Sequence, residues 1–177
     1  VVVTTKPEFI FIEKTTIVED VPSTTYKTIP KVKPQSINLD FDILTKSGYS
    51  KEDLMLSLSS SSHKGLIPYI DTFIKAEEQY GVNALYLMCQ LGLESGWGKY
   101  TTGKNNIAGW TNGRGGYRNF DSVESCIMYV ASKLSTFYKD EVGTKLGNVC
   151  AMYCPNDGYA TDVMRIMKER EKVINSR

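Results

Sequence analysis

Asn83-Ala84-Leu85-Tyr86-Leu87-Met88-Cys89-Gln90-Leu91-Gly92-Leu93-Glu94-Ser95-Gly96-Trp97-Gly98 decides how this chain is organised. Asn83 is a helix N-cap residue, and Ala84, Leu87, Met88 and Leu91 recur on one stripe at helical spacing. Gly96 supplies a stop signal at the other end. Glu94 follows Leu91 by three residues and Leu87 by seven, so it continues the apolar stripe into the last turn. Both placements disfavour a charged carboxylate, because the stripe desolvates it and the helix C-terminus carries partial negative charge. A carboxyl held protonated in this way is suited to general-acid work. The bland alternative is a Glu94 that points to solvent or pairs with Lys99. Trp97 follows at once and offers an apolar wall with a flat face the size of a sugar ring.

The same helical spacing extends to both sides. Ser50 precedes Lys51-Glu52-Asp53, a cap with acidic residues in the first turn, and opens a helix through Leu54, Leu56 and Leu58. Ile67, Ile70, Phe73 and Ile74 predict a helix up to Tyr80, closed by Gly81. Asp121 and Glu124 have capping-box spacing ahead of Cys126, Ile127, Val130, Leu134 and Phe137. Leu146, Val149, Cys150 and Tyr153 mark a short helix. Thr161 caps a last one through Val163, Ile166 and Met167, ending in the charged run 168–172. About twenty residues rich in Gly, Asn and Thr separate the Asn83 helix from the Asp121 helix. A polar loop of that length inside a helical domain is usually functional.

Residues 1–37 are different. They carry many Val, Thr and Ile, with prolines at Pro22, Pro30 and Pro34 and no helical period. Phe9 to Val18 could form a β-branched strand, and Val21 to Gln35 reads as an extended linker. The expected organisation is a connector over 1–37 and a mainly α domain over 38–177. The opening Val1-Val2-Val3 resembles neither an initiator nor a signal peptide, so the chain reads as a piece of something longer.

Composition narrows the chemistry. With 177 residues, 41% of them hydrophobic, the chain can build a real core. A formal net charge of +1 argues against a nucleic-acid partner. No apolar run approaches the roughly 18 residues of a membrane helix, so a soluble chain with no membrane partner is expected. There is one histidine, His63, beside a serine run. A Ser-His-Asp or Cys-His hydrolase would therefore have to use it as its base. Cys89 and Cys126 sit in apolar helical patterns, and Cys150 with Cys154 completes no zinc set, so no metal or cofactor is expected. Any chemistry falls to carboxylates, tyrosines or amides.

Ala84 to Gly98 resembles the hallmark helix of the bacterial and phage N-acetylglucosaminidases, peptidoglycan hydrolases of the lysozyme superfamily, in which a pattern like A-x-L-E-S-G-W-G carries the catalytic glutamate. Further motifs follow in order. Ala76 to Asn83 is similar to the lead-in of that helix. Asn105-Asn106-Ile107-Ala108-Gly109-Trp110 resembles N-N-L-F-G-W, and Tyr117 to Ser125 resembles F-R-x-Y/F-x-S-x-x-E-S. Tyr153-Cys154-Pro155 and Gly158-Tyr159-Ala160-Thr161-Asp162 resemble the closing Y-A-T-D region. The resemblance covers roughly residues 66–170.

It implies a lysozyme-like helical fold with a long substrate-binding loop or short β-hairpin. It also implies cleavage of the β-1,4 bond in peptidoglycan glycan strands, in the cell wall outside the cytoplasm, by an autolysin or by a phage lysin or virion component. Glu94 would be the general acid, and Tyr159 would place a hydroxyl near the N-acetyl group or the attacking water; a core tyrosine bridging two helices is the alternative. Trp97, Trp110 and Tyr117 become candidate sugar platforms. Asn106 either contacts the acetamido group or holds the loop. A second carboxylate is harder to find, because residues 95–120 contain no Asp or Glu. Either Glu124 or Asp121 serves, or the substrate's N-acetyl group assists as an internal nucleophile. Lys99, Lys104, Arg114 and Arg118 make the loop basic, which could attract an anionic wall polymer. A muramidase, a lytic transglycosylase and an inactive wall-binding module remain rivals on the same fold.

Overall fold

The computed structural model describes residues 35–176. The strand expected at Phe9–Val18, and nearly all of the connector expected over 1–37, lie outside the described residues. Ile37 is buried in the core.

The architecture is mainly helical. In chain order it comprises α1 (Lys51–Ser57), a 3-10 turn (Lys64–Tyr69), α2 (Ile70–Tyr80), α3 (Ala84–Ser95), α4 (Val123–Lys133), a π-helical turn (Leu134–Tyr138), α5 (Lys139–Val142), α6 (Leu146–Tyr153) and α7 (Tyr159–Ile174). Backbone pairing of β type among the described residues is limited to isolated bridges, two of which, Thr102–Asn106 and Thr111–Tyr117, lie in the long loop. No described helix is long and apolar enough to cross a membrane.

Helix α3 occupies the centre, packed between α2 and α7. Every residue from Ala84 to Gly92 is buried, so the helix is enclosed on all sides rather than on one stripe, with Gln90 as its buried polar residue. Burying each of Leu85, Leu87, Met88 and Leu91 is worth roughly 1.5–3 kcal/mol. Its N-terminus is held twice. Asn83 Oδ1 accepts from the Tyr86 N–H at 3.0 Å, and Glu77 Oε2 accepts from the Ala84 N–H at 3.1 Å. Glu77 also takes the Ser47 hydroxyl at 2.7 Å and the Ser47 N–H, so one buried carboxylate ties α2, α3 and the 35–49 segment together. At the other end Gly96 adopts the left-handed conformation, and the Trp97 N–H closes on Gly92 O at 2.7 Å.

Three expectations about helix boundaries need correction. The capping box before α4 is made by Ser122 and Ser125, not by Asp121 and Glu124. Ser122 has the extended backbone a cap requires, and the Asp121 carbonyl is engaged elsewhere, accepting from Asn105 Nδ2 at 2.9 Å. Helix α7 starts at Tyr159 after a positive-φ Gly158, not at a Thr161 cap, and the charged run 168–172 does not end it. That run is largely the outer face, while Val163, Ile166, Met167 and Ile174 are buried.

The third correction concerns Phe137. The helical stripe through Val130 and Leu134 predicts it as core, yet Phe137 is 48% exposed and Tyr138 is buried. The cause is the π-helical turn over 134–138, which inserts one residue and advances the inward face from 137 to 138. Ser135 and Thr136 both hydrogen-bond the Ser132 carbonyl at this point.

Candidate functional site

Glu94 ends on the inner side of α3's last turn, where it is half-buried. Tyr159, the first residue of α7, donates its hydroxyl to Glu94 Oε1 at 2.5 Å. Desolvation pushes the Glu94 carboxyl above its usual range, and the Tyr159 hydrogen bond opposes that shift by favouring the charged form. Tyr159 itself is pushed far up, by burial first and then by the negative charge of Glu94, so it is a phenol at every ordinary pH. The pair has one donor of fixed identity and one carboxyl that can hold or release a proton.

The long loop closes over this pair. Asn106, 1% exposed, uses all four valences of its amide: Nδ2 donates to the carbonyls of Trp110 at 2.8 Å and Arg118 at 2.9 Å, and Oδ1 accepts from the N–H groups of Ala108 and Trp110. Asn105 adds bonds to the carbonyls of Phe120 and Asp121. These side-chain amides stand in for the strand ladder the loop lacks. They carry Gly109 past the carboxylate with φ +62°, so close that a β-carbon there would stand 3.3 Å from Glu94 Oε2. Gly109 is therefore favoured by its conformation, and a side chain there would press on the Glu94 carboxyl.

Beside Gly109 lies a cavity of about 210 Å³ walled by Ala108, Gly109, Trp110, Thr111, Tyr138 and Tyr153. Its aromatic walls brace one another. Trp110 meets Tyr138 and Tyr153 edge-on with centroids 6.2 and 6.0 Å apart. Tyr153 stacks nearly parallel on Tyr159 at 6.1 Å and donates its hydroxyl to Ala108 O at 2.7 Å. The cavity thus adjoins the Glu94–Tyr159 pair on two sides, through Gly109 and through Tyr153.

The other expected site residues are placed as follows. Trp110 lines the cavity. Tyr117 is 53% exposed at the outer bridge with Thr111 and is not part of the cavity wall. Trp97 is seated apart from the cavity: its ring covers Gly92, meets His63 edge-on at 4.3 Å and lies under the Arg170 guanidinium. It braces the end of α3, and its faces are taken by protein. Asn106 has no valence left for a ligand, so it holds the loop. Glu124 is exposed in the first turn of α4 and hydrogen-bonds to neither Glu94 nor Tyr159. Asp121 is likewise exposed. Arg118 is spread over the Tyr129 ring at 4.3 Å, with Lys133 at 5.5 Å from the same ring.

Comparison with known proteins gives the chain a family and a fold. The family model described as mannosyl-glycoprotein endo-beta-N-acetylglucosaminidase matches residues 70–172, which includes Glu94, the whole loop and Tyr159. The chain belongs to this glucosaminidase family. It is accordingly a glycoside hydrolase domain. Proteins of two Streptococcus pneumoniae strains, TIGR4 and R6, provisionally named endo-beta-N-acetylglucosaminidase, are each 34% identical over 133 residues. That stretch is 68% of this chain but only 19% and 18% of those proteins, so the chain spans under a fifth of their length. Among solved structures, Staphylococcus aureus autolysin E in complex with the muropeptide NAM-L-Ala-D-iGlu superposes with a TM-score of 0.61 at 18% identity, covering 77% of this chain and 73% of that one. A catalytic mutant of the same autolysin with the disaccharide NAG-NAM gives 0.56 at 19% identity, over 79% and 74%. These superpositions establish the lysozyme-like fold of the autolysin glucosaminidase domain.

Sequence reasoning missed Tyr138 as a site residue and had Tyr153 only as a helix marker and as part of a motif. Helical spacing after Leu134 admits either Phe137 (i+3) or Tyr138 (i+4), and the π-helical turn favours Tyr138.

Proposed function

We propose that this domain cleaves the β-1,4 glycosidic bond of bacterial peptidoglycan on the N-acetylglucosamine side, with Glu94 as the general acid. The observation that carries the reading is the Glu94–Tyr159 pair beside an aromatic cavity. Protonated Glu94 gives its proton to the departing glycosidic oxygen, and the resulting carboxylate then takes a proton from the water that completes hydrolysis. Tyr159 holds the carboxyl in position through both steps. Trp110 and Tyr153 supply the apolar surface against which a pyranose packs. The family name, and the muropeptide and disaccharide bound to the structurally similar autolysin, support a wall glycan as substrate.

No carboxylate lines the cavity, and Glu124 and Asp121 are both exposed. The reading therefore uses the acetamido group of the substrate as the internal nucleophile, an accepted departure from the two-carboxylate scheme. A domain of this kind acts on the wall outside the cytoplasm, as one module of a longer protein. Mass spectrometry of the reducing ends released from purified walls tests the assignment. New reducing N-acetylglucosamine is expected. Reducing muramic acid would make the domain a muramidase, and anhydro-sugar ends a lytic transglycosylase.

A further inference from the structure

We infer that Tyr138 binds the substrate, its hydroxyl hydrogen-bonding the 2-acetamido group of the sugar that occupies the cavity beside Glu94. Three independent observations converge on this residue. Tyr138 is 8% exposed as a residue, and its hydroxyl, open to solvent, has no hydrogen-bond partner among the described residues, whereas the neighbouring Tyr153 and Tyr159 hydroxyls are both engaged. A hydroxyl that no protein group engages is free to exchange water for a polar group of a ligand. Its ring forms a wall of the cavity next to Gly109. Finally, the π-helical turn Leu134–Tyr138 exists at this point of the chain and has the effect of bringing Tyr138, rather than Phe137, to the inside. Such insertions recur at functional sites because they re-aim one side chain at the expense of regular hydrogen bonding.

The chemistry of the cavity selects the group. Its volume of about 210 Å³ is smaller than the roughly 300 Å³ at which pockets for larger ligands begin, so it takes one sugar and its substituent. Rings of Trp110, Tyr138 and Tyr153 suit a methyl group. The free phenol suits an amide, which can both accept from the hydroxyl and donate to it. A hexose hydroxyl would use the phenol but not the apolar wall, and an acetamido group uses both. Tyr138 would thereby restrict the reaction to N-acetylated glycan.

The inference rests on the glycosidase reading above, and the test separates the two. Peptidoglycan is prepared fully N-acetylated and, in a second portion, enzymatically de-N-acetylated. Wild type, Tyr138→Phe and the neighbouring exposed-surface variant Phe137→Ser are compared on the N-acetylated portion, with kcat and KM measured from new reducing ends and with melting curves recorded, and the de-N-acetylated portion is added as a competing ligand. On N-acetylated glycan Tyr138→Phe is expected to lose about tenfold in kcat/KM, chiefly through KM, the size of one lost hydrogen bond. Phe137→Ser keeps wild-type kinetics. De-N-acetylated glycan lacks the internal nucleophile and is not turned over; as a competitor it inhibits wild type and Tyr138→Phe equally. Equal kinetics of Tyr138→Phe and wild type on N-acetylated glycan would overturn the role of Tyr138 while leaving the glycosidase reading intact. So would a Tyr138→Phe variant on which de-N-acetylated glycan also competes tenfold more weakly than on wild type. Absence of any new reducing end with the wild type would overturn the glycosidase reading and the inference together.

Discussion

The Tyr159 hydroxyl and Glu94 Oε1 lie 2.5 Å apart although 65 residues separate them in the chain. The contact joins the last turn of α3 to the first residue of α7, so the two halves of the helical core meet at the carboxyl proposed as the general acid. It also sets that carboxyl's balance. Burial favours the neutral acid, and the phenol favours the anion.

Replacing Tyr159 by Phe removes the interaction that favours the charged form. The Glu94 pKa then moves further up, and the alkaline limb of the pH–rate profile, where the acid loses its proton, shifts to higher pH. The rate at the optimum falls roughly 10–100-fold, the usual weight of a hydrogen bond to a charged group. Wall hydrolysis measured across pH checks both the shift and its sign.

Glu94 costs stability at neutral pH. Its carboxyl is raised in the folded state, so folding favours the protonated form. The stability this group contributes is fully present below its unfolded value, about 4.3, and is lost as pH rises through the folded pKa. Glu94→Gln cannot ionise, and it is expected to melt higher than wild type at pH 7–8 and level with it near pH 4. Calorimetry at the two pH values is the check.

Asn106→Ala strands two carbonyls and two N–H groups that the amide now satisfies. A loss of about 2–4 kcal/mol is expected, with the melting point falling roughly 2–4 °C for each 1 kcal/mol. Asn106→Asp should do no better, since a carboxylate would face the Trp110 and Arg118 carbonyls. Thermal unfolding of both variants tests whether the residue holds the loop.

Glu77→Ala removes the carboxylate that caps α3 and anchors Ser47. It should cost about 2–3 kcal/mol in denaturant unfolding, somewhat above a simple helix cap, because the freed donors are buried. Catalysis should suffer less than stability, as Glu77 serves the far end of α3 from Glu94.

Much of this was readable from the chain. Asn83, Gly96 and the run between them predict α3, and Glu94's place on an apolar stripe in the last turn predicts a raised pKa. What escaped had local physical causes. Two capping boxes of the same spacing overlap at 121–125, and the structure forms the Ser122–Ser125 one, with Ser122 in the extended backbone a cap requires. Trp97 lies three residues after Glu94, but the reversal at Gly96 turns it back onto Gly92 and away from the cavity. The inserted residue of the π-helical turn exchanged Phe137 and Tyr138. In the last two cases a chain reversal or a break in helical period overrode the local pattern.

The most direct measurement is release of soluble muropeptides from purified Gram-positive walls by wild type beside Glu94→Gln. Loss of a general acid typically costs about 10²–10⁴-fold, so the account predicts fragments with reducing N-acetylglucosamine from wild type and almost none from the variant. Equal release by both proteins would contradict it and place the acid elsewhere.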